Sequence, residues 1–182
     1  MADEAGGEAA AVTLVLGGTR SGKSAAAEQL TARGAGSGPV TYVATAVGEP
    51  GDEAWRARID AHRARRPPSW RTAELERGGD LAGLLDALDG PVLVDSLGVW
   101  AAGFDDFVVP TAPLCEVLAA RGRRGVPTVL VSEEVGLGVH PVTPAGRAFA
   151  DALGMLNQAV AAVADRTLLV VAGRTLLLDG GR

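Results

Sequence analysis

Short apolar runs alternate with amphipathic stretches along most of the chain. Val12–Leu16, Val40–Ala44, Val92–Val94, Thr128–Val131 and Thr167–Val171 are nearly continuous in apolar character, as strands are when helices cover both faces of their sheet. Helix-compatible segments lie between most of them, at Ser24–Arg33, Glu53–Arg65, Asp80–Leu88, Ala112–Arg121 and Pro144–Ala164. The last carries clear boundary signals: a proline permitted in the first turn, a long Ala-rich body, and Asp165 before the next strand. The alternation predicts an α/β fold with a mostly parallel sheet flanked by helices. Thr167–Ala172 and Thr175–Leu178 flank Gly173-Arg174, which predicts a closing hairpin and an antiparallel C-terminal edge strand. With no internal repeat and no long linker, residues 12–182 read as one domain behind a flexible leader of residues 1–11.

Composition narrows the function classes. Hydrophobic residues make up 47% and charged residues 21% of the 182-residue chain, enough for a proper core. With three Trp, one Tyr and three Phe there are few rings on which single-stranded nucleic acid would stack. A net charge of −5 argues against a general nucleic-acid or membrane-surface role. The one cysteine, Cys115, excludes an intrachain disulfide and a cysteine-rich zinc site. No apolar run approaches the roughly 18 residues that a membrane helix needs, and the small, acidic start lacks a signal-peptide pattern, so the expected location is cytoplasmic. Among 17 basic residues there is a single lysine, Lys23. In a chain that uses Arg wherever a generic cation serves, that lysine marks a place where a broad guanidinium would not fit.

Lys23 stands in the segment Gly17-Gly18-Thr19-Arg20-Ser21-Gly22-Lys23-Ser24, between the Val12–Leu16 run and an Ala-rich helical segment. This is G-x-x-x-x-G-K-[ST] in its strand–loop–helix context, and it predicts a P-loop NTPase domain of RecA-like type. The glycines let successive backbone N–H groups turn toward phosphate oxygens, and the helix N-terminus adds partial positive charge. Lys23 would bridge the outer phosphates and the Ser24 hydroxyl would face Mg²⁺. Pro91-Val-Leu-Val-Asp95 ends an apolar run in an acid at the carboxyl edge of the sheet, which suits a carboxylate that holds Mg²⁺ through bound water; a turn-forming or capping Asp fits the same pattern.

His62 lies in an arginine-rich segment, Glu53 to Arg66, where helical spacing sets Trp55, Ile59, His62 and Arg66 along one face. Arg56, Arg58, Arg63, Arg65 and Arg66 around one imidazole make a poor core segment and a good polyphosphate clamp. Their positive field favours the neutral, nucleophilic imidazole. A solvated basic helix with an incidental histidine fits the pattern as well. His140, in the loop Gly136–Pro141, reads as incidental.

The blocks LVLGGTRSGKS, TYVATA, DEAWRARIDAHRARRPPSWRTAE, VLVDSLGVW, VSEEVGLGVHPVTPAGRAFADALGMLNQAVAAVAD and LLVVAG stand in that order. Together they resemble the bifunctional adenosylcobinamide kinase/adenosylcobinamide-phosphate guanylyltransferase family of cobalamin biosynthesis, from Val12 to Leu178. The resemblance implies two reactions. A nucleoside triphosphate, ATP or GTP, phosphorylates the aminopropanol hydroxyl of adenosylcobinamide; His62 then takes GMP from GTP and passes it to adenosylcobinamide phosphate. It also implies nucleotide contacts at Gly17 to Ser24, at Ala44, Thr45 and Ala46, at Arg63, Ala64, Arg65 and Arg66, at Glu74, where guanine N1 and N2 hydrogens suit a carboxylate, and at Asp95; without the resemblance, an exposed acid at the end of a strand fits Glu74 equally well. Glu134 matches an acid near phosphate or metal, while Glu133 stands where the family has Asn. After Trp100 the chain departs from the family with a shortened region, residues 101–127. A homo-oligomer, with a trimer suggested, is implied too. Two other readings of the residues stay open: a P-loop small-molecule kinase without guanylyl transfer, and a nucleotide-gated binding protein.

Overall fold

The computed structural model describes residues 10–45 and 66–178. Seven strands run β1 (Val12–Gly17), β2 (Thr41–Ala44), β3 (Arg71–Glu74), β4 (Val92–Asp95), β5 (Thr128–Glu133), β6 (Arg166–Val171) and β7 (Arg174–Leu178). The described helices are α1 (Lys23–Ala35), α2 (Leu81–Asp86), α3 (Leu97–Ala101), α4 (Thr111–Arg123) and α5 (Pro144–Val163), with one 3₁₀ turn at Asp105–Phe107. The strands form a single sheet in the order β3-β2-β4-β5-β1-β6-β7. All pairings are parallel except β6 with β7, which is antiparallel.

Side-chain alternation on these strands builds two cores. Val12, Leu14 and Leu16 of β1 point to one face with Val92, Val94 and Leu130, and meet Leu81, Leu85, Trp100, Leu118, Leu153 and Leu156 from α2–α5. Val15, Leu93, Val129 and Val131 point to the other face and meet Ala27 of α1. Both faces of the central strands are therefore dry, which is why their sequences read as continuous apolar runs. Caps set the helix starts. Asp80 accepts from Gly83 N, Ser96 from Val99 N and Thr143 from Gly146 N, each satisfying an otherwise unpaired amide.

Several sequence expectations shift in detail. The segment Asp80–Leu88 is a short helix from Leu81, with Asp80 as its cap. The strand Thr128–Val131 continues through Ser132 to Glu133. The hairpin turn is Ala172-Gly173, one residue earlier than Gly173-Arg174: both turn residues have positive φ, 50° and 73°, the twist a two-residue hairpin demands, and Arg174 already pairs with Val171. Helix α3, of 5 residues, was not expected as an element, and β3, polar and mostly exposed, was foreshadowed only by the reading of Glu74 as an exposed strand-end acid, which the structure bears out. The predicted helix Glu53–Arg65 and residues 1–9 of the leader lie outside the described residues. Ala11 is already tied to the sheet, its carbonyl accepting from Thr128 N at 2.7 Å.

Candidate active site

Because β1 to β6 are parallel, their carboxyl ends share one edge of the sheet. Gly17 of β1 pairs with Glu133 of β5; Asp95 of β4 pairs with Ala44 of β2, which pairs with Glu74 of β3. The predicted residues thus fall along one line. Glu74 sits four strands from Gly17, about 19 Å at ordinary strand spacing.

The phosphate loop leaves β1 at Gly17, whose carbonyl accepts from Glu134 N at 3.1 Å. Gly18, Thr19 and Arg20 are exposed, and Arg20 takes a left-handed conformation with φ 57°. Ser21 N donates to Gly18 O at 3.2 Å and Ser21 Oγ accepts from Lys23 N at 3.3 Å, so the loop closes on itself. The hairpin turn braces it from outside: Gly173 N donates to Ser21 O at 2.8 Å. Gly22 has φ 95°, and a Cβ there would lie 3.3 Å from Gly173 Cα. Only glycine meets both demands. Ser24 follows in the first turn of α1, half-buried.

Lys23 is 5% exposed. Its ammonium donates to Gly18 O at 3.4 Å and lies 3.5 Å from Glu133 Oε1. The Glu133 carboxylate in turn accepts from Ser96 Oγ, at 3.1 Å to one oxygen and 3.0 Å to the other. Ser96 is locked to Thr45: Ser96 N donates to Thr45 Oγ1 at 2.9 Å, and Thr45 Oγ1 donates to Ser96 O at 2.7 Å. Asn157 of α5 donates from Nδ2 to the Glu133 carbonyl at 3.0 Å, and its Oδ1 accepts from Ser132 Oγ at 2.6 Å. A buried polar chain therefore runs from the phosphate-loop lysine to the end of β2.

Asp95 accepts from the Tyr42 hydroxyl at 3.1 Å. Burial, with the Asp95 charge behind it, pushes the Tyr42 phenol above its ordinary range, so it stays a protonated donor. Arg66 lies over the Tyr42 ring, 3.8 Å from guanidinium carbon to centroid, and donates to Thr72 Oγ1 at 3.2 Å. Glu74 is exposed at the end of β3, Ala44 ends β2 and Thr45 follows it. His140 is exposed. Ala46, His62, Arg63, Ala64 and Arg65 lie outside the described residues.

Sequence reasoning named Lys23, Ser24 and Asp95 but assigned no role to Ser96, Asn157 or the Glu133 side chain. The signal for Glu133 was present: an apolar strand, Thr128 to Val131, ending in an acid at the carboxyl edge, as β4 ends in Asp95.

Comparison with known proteins gives the following. The profile of the family described as cobinamide kinase / cobinamide phosphate guanyltransferase matches residues 13–178. The chain is 41% identical over 174 residues to the bifunctional adenosylcobalamin biosynthesis protein CobP of Pseudomonas aeruginosa, covering 92% of this chain and 96% of that one. It is 36% identical over 178 residues to the bifunctional adenosylcobalamin biosynthesis protein CobU of Salmonella typhimurium, covering 88% and 95%. The Escherichia coli protein of the same name is 36% identical over 179 residues, with the same coverage of 88% and 95%. Among solved structures, the P4 protein of bacteriophage phi6 in complex with ADP superposes with a TM-score of 0.46 at 17% identity, covering 97% of this chain and 58% of that one.

Proposed function

The chain belongs to the cobinamide kinase / cobinamide phosphate guanyltransferase family, and from that premise we propose that it performs both reactions the family's description names. One observation carries the reading: a complete phosphate loop with a buried Lys23, in a chain that matches the family from residue 13 to 178.

In the first reaction the aminopropanol hydroxyl of adenosylcobinamide attacks the γ-phosphorus of ATP or GTP, and the nucleoside diphosphate leaves. The loop amides and the Lys23 ammonium meet the negative charge that gathers on the outer phosphates. In the second, His62 attacks the α-phosphorus of GTP, pyrophosphate leaves, and the phosphoramidate hands GMP to a phosphate oxygen of adenosylcobinamide phosphate. The product is adenosylcobinamide-GDP. Arg63, Arg65 and Arg66 follow His62 directly in sequence and supply cations for the phosphates of that step. Ala44, Thr45 and Ala46 would contact nucleotide from the end of β2, and Glu74 would bind guanine.

Ser24 and Asp95 would hold Mg²⁺, Asp95 through a bound water. The donor chemistry fits, since a hydroxyl and a carboxylate oxygen suit a hard cation. Among the described residues no group of three or more His, Cys, Asp or Glu gathers into a metal cluster, and Mg²⁺ needs none when phosphates and water complete its shell. Bound there, the ion would neutralise phosphate charge. No described helix is long and apolar enough to cross a membrane. The reading places the enzyme in the cytoplasm as a homo-oligomer, a trimer by resemblance, with no nucleic-acid partner.

The test is product analysis. Full chain, Mg²⁺, ATP and GTP with adenosylcobinamide are expected to yield first the corrinoid phosphate and then adenosylcobinamide-GDP, separated by mass. An unchanged corrinoid contradicts the proposal, and accumulation of phosphate alone supports a small-molecule kinase without guanylyl transfer.

A further inference from the structure

We propose that in this chain Glu133, at a position where the family has Asn, is the proton acceptor for the attacking hydroxyl in the kinase step, a role particular to this chain and an inference that rests on the functional reading above. Strand pairing sets Glu133 beside Gly17, at the mouth of the phosphate loop. Its Oε1 lies 3.5 Å from the Lys23 ammonium. A phosphate-loop lysine engages the outer phosphates of its nucleotide, so this carboxylate stands one ammonium away from the phosphoryl group that moves. The Glu133 side chain is 25% exposed, open enough for a substrate hydroxyl to reach.

The surroundings are built around that carboxylate. Ser96 Oγ donates to both of its oxygens, and Asn157 fixes its backbone carbonyl. Gly98, in the first turn of helix α3, lies against it: a Cβ there would overlap Glu133 Oε2, so a side chain at this position would have to push the carboxylate aside. The other acids at this edge have different engagements. Asp95 holds the Tyr42 hydroxyl, Glu134 Oε1 accepts from Gly136 N at 2.6 Å, and Glu74 lies at the far strand.

The step balances simply. The hydroxyl oxygen forms a bond to the γ-phosphorus, the bond from that phosphorus to the β,γ-bridging oxygen breaks, and the nucleoside diphosphate departs with the bond pair. The hydroxyl proton passes to the Glu133 carboxylate and then to solvent. Lys23 offsets charge on the phosphates and Ser96 keeps the carboxylate in line.

The experiment compares wild type, Glu133→Gln and Gly98→Ala as full chains in three measurements: phosphorylation of adenosylcobinamide at saturating ATP, affinity for a fluorescent ATP analogue, and protein labelling by GTP carrying label at the α-phosphate. Glu133→Gln keeps the shape and loses the acceptor, so its kinase turnover is expected to fall roughly 100-fold or more, with nucleotide affinity within about threefold of wild type and guanylyl labelling retained. Gly98→Ala leaves the acid in the sequence but displaces it, and is expected to lower kinase turnover at least tenfold with the same preserved binding. Turnover of Glu133→Gln within threefold of wild type overturns the proposal. So does a variant whose affinity falls while its turnover stands, because that assigns Glu133 to Lys23 as a counter-ion alone. A wild-type chain that phosphorylates no adenosylcobinamide overturns the functional reading itself, and this proposal with it.

Discussion

The Tyr42 hydroxyl donates to Asp95 Oδ2 across 3.1 Å, tying β2 to the carboxylate at the end of β4. Burial, followed by the Asp95 charge, holds the phenol protonated well beyond the pH at which an exposed tyrosine ionises. The folded-state pKa lies above the unfolded one. Its contribution to stability is therefore complete below about pH 10 and is lost as pH rises toward the folded value. Denaturant unfolding of wild type and Tyr42→Phe is expected to show a gap of about 1–2 kcal/mol at neutral pH, narrowing above about pH 10. A gap that widens with pH contradicts this assignment.

Arg121 is fully buried on α4, its guanidinium donating to the carbonyls of Leu85, Leu88 and Gly90 and to Thr128 Oγ1. Burial pulls its pKa down to about 10, so it stays charged at neutral pH. Three carbonyls that close off α2 and the loop before β4 depend on this one fork. Arg121→Leu orphans them and is expected to cost about 3 kcal/mol or more, a fall in melting temperature of about 6–12 °C. Arg121→Lys should recover only part, since an ammonium lacks the planar fork. Thermal melts of the two variants check the order.

Gly22 and Gly18 separate conformation from space. Gly22→Ala forces a side chain into φ 95° and against Gly173, and is expected to lower stability by about 1–3 kcal/mol and to weaken nucleotide binding. A Cβ at Gly18 meets nothing within 4 Å, so Gly18→Ala should melt like wild type. Equal melting temperatures for the two variants would contradict the loop geometry.

Much of this was legible from the residues alone, and for physical reasons. β1, β4 and β5 are buried on both faces, so their apolar runs announce them, and the phosphate loop is local chemistry in a fixed context. β3 did not stand out among the apolar runs, and only the strand-end reading of Glu74 hinted at it, because Arg71-Thr-Ala-Glu74 is an edge strand whose burial pattern shows no apolar face; it pairs with β2 through backbone groups that leave no mark on the sequence. The Glu133–Ser96–Thr45 chain was invisible for a related reason. Its members come from three strand ends that are far apart in sequence and meet only through the crossover order β2-β4-β5-β1. Gly98 shows the same limit: a glycine in a helix looks like a flaw until the Glu133 carboxylate is seen beside it.

Lys23 should serve both reactions, since each gathers negative charge on phosphate oxygens. Lys23→Ala is expected to lower phosphorylation and guanylyl transfer by about 100-fold or more each, read as steady-state rates at saturating nucleotide. Loss of one activity with the other intact would mean that the two reactions do not share the phosphate loop.

The central claim is that one chain stores GMP on His62 between two chemical steps. The most direct measurement is incubation of the full chain with GTP labelled at the α-phosphate, after which one portion is denatured to read the label on the protein and a native portion is chased with adenosylcobinamide phosphate. The expected result is a lasting, acid-labile label that His62→Ala lacks and that the chase removes into adenosylcobinamide-GDP, while His62→Ala still phosphorylates adenosylcobinamide. A wild-type chain that turns over GTP and adenosylcobinamide phosphate without ever carrying the label contradicts the claim.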